Sequence, residues 1–287
     1  MSEIDKTQYS DEQNRTREHF NVLSDYWHAV YQDERSYTGY SLRKQHCFVL
    51  ELIQQTEGAR RILDVGCGAG VTALALAQIG YEVDGLDIAP KMIQRAQSEA
   101  QRQHLNCDFK VGIAEYLPYP NQYYDVVIAL GLLGNILDDK QALDEMARVL
   151  KPKGRLILTM PNILALDLLI ALPKSLPIML GGTRFRSPLR VIGNLGRRLI
   201  GREIKDSSAL RFNQCVIPHN YVRHLQQHGF RDVKYYPLTF GPIMPFGLHL
   251  FSNQTSIRMS EKITHWVNTI RQLGTMGTMI IYDGCHI

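Results

Sequence analysis

Between Arg60 and Asn162, apolar runs of strand length alternate with stretches of helical periodicity, and this alternation restricts the chain to one broad architecture. "ARRILDVG" reads as a short strand entering a glycine turn, and "VTALALAQIG" as a helix closed by Gly80. "YEVDGLDIAP" is a second strand, followed by "PKMIQRAQSEAQRQH", a helix opened by Pro90. A third strand, "CDFKVGIA", and a fourth, "YYDVVIAL", precede the helix "DDKQALDEMARVLKPKG", which Gly154 ends, and a fifth strand, "RLILTMP". Strands separated by helices pair in parallel through right-handed crossovers, so these units predict a doubly wound α/β sheet. After residue 162 the rhythm breaks. It resumes with the helix "HNYVRHLQQHGF", ended by Gly229, the strand "RDVKYYPLTF", the helix "SEKITHWVNTIRQLG" and the strand "TMIIYDGCHI".

The rest of the chain adds two kinds of material to this sheet. Residues 14–55 read as largely helical, with Phe20, Tyr26, Trp27, Tyr31, Tyr37 and Tyr40 interspersed. Residues 163–215 form an apolar, then basic, insert punctuated by Pro and Gly. From Lys174 to Arg211 it holds nine basic and two acidic residues, against 23 basic and 26 acidic elsewhere, so one segment accounts for the net charge of +4. The longest apolar run, "ILALDLLIALP", has 11 residues, contains Asp167 and is too short to span a bilayer. The polar start carries no secretory signal, and the five cysteines form no CxxC pair. The expected address is cytoplasmic, with free thiols and neither a disulfide frame nor a metal site.

Chemistry concentrates in "ILDVGCGAG", where Gly66, Gly68 and Gly70 follow Asp64 at the end of the first strand. Glycines let a backbone turn tightly and approach a ligand closely, and ligands of doubly wound sheets sit at the carboxyl ends of the strands. The dinucleotide fingerprint is G-x-G-x-x-G. Here the spacing is G-x-G-x-G, and Val71 takes the place of its third glycine. A carboxylate at position 64 would repel a pyrophosphate and suit a cationic group such as the amine and sulfonium of S-adenosylmethionine. Asp87 ends the second strand, where an acidic side chain can accept both ribose hydroxyls. A nicotinamide-dependent oxidoreductase is correspondingly disfavoured.

From Arg60 to Asn162 the chain resembles the class I S-adenosylmethionine-dependent methyltransferases, especially the bacterial small-molecule type. The matching stretches are "ILDVGCGAG", "VDGLDIAPKMIQRA", "YYDVVIAL" and "LDEMARVLKPKGRLILTMPN", with the later "LQQHGF". The resemblance implies a Rossmann-like, mostly parallel seven-stranded sheet of order 3-2-1-4-5-7-6, its last strand antiparallel. It divides the chain into an N-terminal helical lid (1–55), a cofactor-binding core (56–162), a substrate-cover insert after strand 5 (163–215) and a completion of the sheet (216–287). It also implies that Asp64, Gly66, Cys67, Gly68 and Gly70 hold the methionine end of the cofactor and Asp87 the ribose. Ile88 and Met92 would pack near the adenine, Ile113 and Ala114 would border it, and Leu130 would sit beside the sulfonium. Within the lid, Tyr31, Tyr37 or Arg43 would reach the cofactor, Arg43 by pairing with its carboxylate.

The sequence departs from the family at two points. Ile113 stands where an aspartate commonly accepts from the adenine amino group, with Glu115 two residues on as a substitute. Gly134 and Asn135 replace a Glu-His pair common in relatives acting on quinone precursors.

Methyl transfer is an in-line displacement in which the protein mainly orients the acceptor, and a base is needed only where the acceptor must lose a proton. His219, His46, His249 and Tyr37 are the candidates, with His219 and Tyr37 foremost; His219 with Asn220 would equally cap a helix. The insert would cover the substrate, and residues 163–211 could rest on anionic lipid or simply form a helical cap. No nucleic-acid-binding module accompanies the basic run. The expected function is methylation of oxygen or carbon on a small, hydrophobic or aromatic acceptor, a lipid-like quinone precursor being one example. The alternatives are a sugar or polar acceptor, and a binding protein that kept the fold without catalysis.

Overall fold

The computed structural model describes residues 10–136, 138–162, 216–240, 251–269 and 279–287. The insert expected at 163–215 and the candidate base His249 lie outside the described residues. Three helices come first: α1 (Asp11–Val22), α2 (Ser24–Gln32) and α3 (Tyr37–Gln54). Ser10 starts α1 with a capping box shared with Gln13, and the Ser36 hydroxyl starts α3 by accepting from the Gly39 amide at 3.0 Å. The alternating core follows as β1 (Arg61–Val65), α4 (Val71–Gln78), β2 (Glu82–Asp87), α5 (Pro90–Arg102), β3 (Cys107–Val111), β4 (Tyr124–Ala129), α6 (Asp139–Val149) and β5 (Leu150–Pro161). The chain closes with α7 (Pro218–Gln227), β6 (Phe230–Thr239), α8 (Asn253–Thr269) and β7 (Met279–His286).

The seven strands form one sheet in the order β3-β2-β1-β4-β5-β7-β6. β1 to β5 pair in parallel, while β7 runs antiparallel to both β5 and β6, as the resemblance implies. Strands buried on both faces alternate between two cores. Ile62, Val126, Ile128 and Ile157 pack with Val49, Leu52 and Ile53 of α3 and with α4 and α5. Leu63, Val65, Val127 and Leu158 pack on the opposite face with Leu143 and Met146 of α6 and with Tyr221 and Leu225 of α7. Arg155 fastens the seam to β7. Its Nε donates to Asp283 Oδ1 at 2.6 Å, and its Nη1 donates to Thr56 Oγ1 at 2.6 Å and to the Leu52 carbonyl at 2.9 Å.

Two boundaries differ from the sequence reading. α6 ends at Val149, not at Gly154, and β5 starts at Leu150. Pro152 disfavours the helical conformation at Lys151. The segment leaves the ladder as a bulge instead, with Lys153 at φ +66° and a register jump between the Tyr124–Leu150 and Val126–Arg155 pairs. α8 begins at Asn253, ahead of the expected Ser260, because the Ser252 hydroxyl accepts from the Thr255 amide at 3.2 Å and caps an earlier turn. No helix among the described residues is long and apolar enough to cross a membrane.

Candidate active site

The site begins where β1 stops. The amides of Gly66 and Cys67 both donate to the Leu86 carbonyl, at 2.7 and 3.1 Å, so the loop after β1 folds toward the end of β2. The Gly68 amide then donates to Asp87 Oδ2 at 2.9 Å, while Asp87 Oδ1 accepts from the Ala89 amide at 2.8 Å. Two glycines are enforced by geometry. Gly66 sits at φ +76°, where a Cβ would lie 2.9 Å from Leu132 Cδ1. Gly70, the residue before α4, sits at φ +78°, with Ala96 Cβ and Phe109 Cζ at 3.0 and 3.1 Å from where its Cβ would be.

Over this loop lies a cavity of about 440 Å³. Gly66, Cys67, Gly68, Asp87, Ile88, Met92, Ile113, Ala114 and Leu130 line it, which with Tyr31 brings together ten of the residues named from sequence for the cofactor. Its roof comes from the N-terminal helices. Gln13, Thr16 and Phe20 descend from α1, Trp27 and Tyr31 stand one turn apart on α2, and Leu42 projects from α3. Leu132, Asn135 and Ile136 close the side after β4. The roof is tied down by polar contacts: Gln13 Nε2 donates to Glu115 Oε1 at 3.4 Å, and the Lys91 amide donates to Asn21 Oδ1 at 3.0 Å. An ion pair between Arg95 and Asp25 adds a third.

Buried carboxyls dominate the electrostatics. Asp64, 3% exposed, lies outside the cavity lining. Burial and the charge of Asp87 push its carboxyl up to about 7, against a hydrogen bond from the Ala73 amide that pulls it down. Burial likewise raises Asp87, opposed by the amides of Ala89 and Gly68, and raises the Cys67 thiol well above the ordinary range. Burial and the charge of Asp64 push the Tyr31 phenol up to about 12, so at neutral pH it is a donor and not a base. Two carboxyls held at such cost fit a ligand that brings a cation and hydroxyl donors, and they oppose a phosphate.

Six residues named from sequence lie outside the cavity lining. Gly70 shapes the start of α4 and, like Asp64, does not line the cavity. Arg43 points along the lid, its Nη1 donating to the Asp33 carbonyl at 3.1 Å, because Asp33 ends α2 just below it. Tyr37 is buried and its hydroxyl lies 3.5 Å from Ser260 Oγ on α8. His219 is exposed on α7, edge-on to Tyr235 at 6.5 Å. His46 faces Thr72 Oγ1 at 3.3 Å, outside the cavity lining. Gln13, Thr16, Leu42 and Leu132 were not singled out from sequence. The one signal for them was the spacing of Gln13, Thr16 and Phe20, which places all three on one helical stripe.

A family described as "Methyltransferase domain" matches residues 63–158, the segment that runs from the end of β1 through the glycine loop, β2, β3 and β4 to most of β5. Over 193 residues the chain is 31% identical to a demethylmenaquinone methyltransferase of Chlorobaculum parvum, a match spanning 65% of this chain and 73% of that protein. Over 115 residues it is 32% identical to a ubiquinone biosynthesis O-methyltransferase of Coxiella burnetii, covering 39% of this chain and 49% of that one. Among solved structures, magnesium protoporphyrin IX methyltransferase of Synechocystis PCC 6803, with bound S-adenosylhomocysteine, superposes with a TM-score of 0.59. That match has 19% identity and covers 96% of this chain and all of that one, a likeness of fold. Together with the sheet order, the glycine loop and the paired carboxyls, these matches show that the chain belongs to the class I S-adenosylmethionine-dependent methyltransferases, with S-adenosylmethionine as its cofactor.

Proposed function

We propose that the enzyme methylates oxygen or carbon on a small hydrophobic, aromatic acceptor of the quinone-precursor type, bound beneath the N-terminal helices. The observation that carries this reading is the roof of the cavity. Phe20, Trp27, Tyr31 and Leu42 line the space next to the glycine loop together with Leu132 and Ile136. Such a wall favours a planar apolar acceptor and offers few groups to a sugar. The relatives named for demethylmenaquinone and ubiquinone biosynthesis support the same class.

In this reading the loop at Gly66–Gly68 holds the methionine end of the cofactor and Asp87 takes the ribose hydroxyls. Asp64, outside the lining but electrostatically coupled to Tyr31, Cys67 and Asp87 within it, acts through its charge on the cationic amine. Ile88, Met92 and Ala114 enclose the adenine, with Glu115 accepting from its amino group in place of the aspartate that Ile113 replaces. S-adenosylmethionine supplies the methyl group, activated by its sulfonium. The chain's own part is to desolvate and align the acceptor, which is worth several powers of ten in rate. His46, His219 and Tyr37 stand outside the cavity lining, and the acceptor in this reading is one that ionises readily, such as a hydroquinone, a catechol or the carbon beside an enol, for which a base matters least.

The test is methyl transfer from labelled S-adenosylmethionine to a panel of alkyl-tailed hydroquinones and catechols beside sugars and polar amines. Label recovered on the aromatic compounds supports the proposal. Label confined to the sugars would move the substrate class, and tight cofactor binding without transfer to any compound would favour the binding-protein alternative.

A further inference from the structure

We infer that Thr159 is a positioning residue for the amine of the cofactor, acting through the peptide bond between Leu130 and Gly131. Thr159 stands in β5, fully buried, between Leu158 and Met160. A strand covered on both faces ordinarily carries an apolar residue at such a position, so a hydroxyl there has a partner to serve. Its partner is the Gly131 amide, which donates to Thr159 Oγ1 at 2.7 Å. Gln45 Nε2 of α3, itself buried, approaches the same oxygen at 3.5 Å. The other end of Gly131 is also held: Asn135 Nδ2 donates to its carbonyl at 2.7 Å. Gly131 has φ +67°, and both Leu130 and Gly131 line the cavity.

In a trans peptide the N–H and the C=O point in opposite directions. Anchoring the Gly131 N–H on Thr159 in β5 therefore turns the Leu130 carbonyl away from β5, toward the side of the cavity that the glycine loop occupies. The two segments meet there, since a Cβ on Gly66 would touch Leu132. A carbonyl has lone pairs and no donor, so the cofactor group it can hold is the cationic amine, by a charge-assisted hydrogen bond. This rests on the placement proposed above, with the methionine end of the cofactor at Gly66–Gly68, and on the expectation from the family resemblance that Leu130 sits beside the sulfonium.

The test compares S-adenosylhomocysteine with 5′-S-(3-carboxypropyl)-5′-thioadenosine, which differs from it only in lacking the amine. Affinities are measured by calorimetry on the full chain and on Thr159→Ser, Thr159→Cys and Thr159→Val. The wild type and the serine variant should favour S-adenosylhomocysteine by about tenfold or more. The valine variant, which cannot accept from Gly131, should lose most of that preference while binding the desamino compound as the wild type does. Cysteine, a weak acceptor, should fall between and gives the same comparison if the valine protein does not fold. Equal weakening of both ligands would mark Thr159 as structural only, and a valine or cysteine variant with undiminished preference would overturn the inference. A wild type without preference would overturn the placement of the cofactor as well.

Discussion

Replacing Asp64 by Asn should stabilise the free protein at alkaline pH while abolishing cofactor binding. In the free protein, burial and Asp87 raise the Asp64 carboxyl from 3.8 to about 7. A carboxyl raised by folding binds more protons folded than unfolded, so stability falls as pH climbs between the two values and levels off above the upper one. The full rise corresponds to on the order of 4 kcal/mol lost by pH 8. At pH 5 the folded carboxyl is protonated and the loss is on the order of 1–2 kcal/mol. Asparagine is neutral throughout. It keeps an oxygen for the Ala73 amide and brings N–H groups that need partners, a fixed cost of roughly 1–3 kcal/mol. That cost cancels when the two pH values are compared, leaving a swing of on the order of 3 kcal/mol toward the variant between pH 5 and pH 8. Scanning calorimetry should therefore show the Tm offset between Asp64→Asn and wild type moving by roughly 6–9 °C in favour of the variant. Titration at pH 8 should show S-adenosylhomocysteine binding to the wild type alone, with wild-type affinity weakening as pH falls below about 7. An offset that is the same at both pH values, or a variant with wild-type affinity, would refute the reasoning.

Other sites allow shorter tests. Gly70→Ala forces a side chain into left-handed backbone and against Ala96 and Phe109, and should cost roughly 2–4 kcal/mol, read as a lower urea midpoint with weakened cofactor binding. Arg155→Met leaves Asp283, 5% exposed, without its guanidinium partner and should destabilise by roughly 3–5 kcal/mol in equilibrium unfolding. Glu115→Gln exchanges one acceptor oxygen for a donor. It should weaken S-adenosylhomocysteine by about tenfold while sparing its inosine counterpart, whose 6-carbonyl oxygen can accept from the new amide. Equal loss for both nucleosides would remove Glu115 from adenine recognition.

The parallel core was legible because its signals are local. Pro90 opening α5, the apolar runs of β1 and β4, and the glycines after Asp64 each act within a few residues. Side-chain placement was harder to read where a distant partner decides. Arg43 was assigned to the cofactor from its charge, but the end of α2 folds back to offer the Asp33 carbonyl, and no pattern around Arg43 announces that. Tyr37 and His219 are chemically able residues whose direction depends on α8 and β6, far along the chain. Thr159 was passed over as one polar letter in "RLILTMP", since its partner, the Gly131 amide, lies just beyond the end of another strand. The end of α6 was misplaced for the opposite reason. Gly154 was read as the stop, although Pro152 already disfavours the last turn.

The antiparallel pairing of β5 with β7 has a consequence for synthesis. β5 is complete at Pro161, but the strand that covers its outer edge begins only at Met279, about 120 residues later. At ribosomal rates of roughly 5–20 residues per second, the edge waits on the order of ten seconds for its partner. During that interval the backbone at Leu156, Ile157, Leu158 and Met160 is a template for any passing strand. Arg155, which later meets Asp283, then serves as a charged gatekeeper against mispairing of nascent chains. Its replacement should lower the yield of folded enzyme during expression by more than its effect on the finished protein accounts for, and a chaperone that shields the edge should restore the difference.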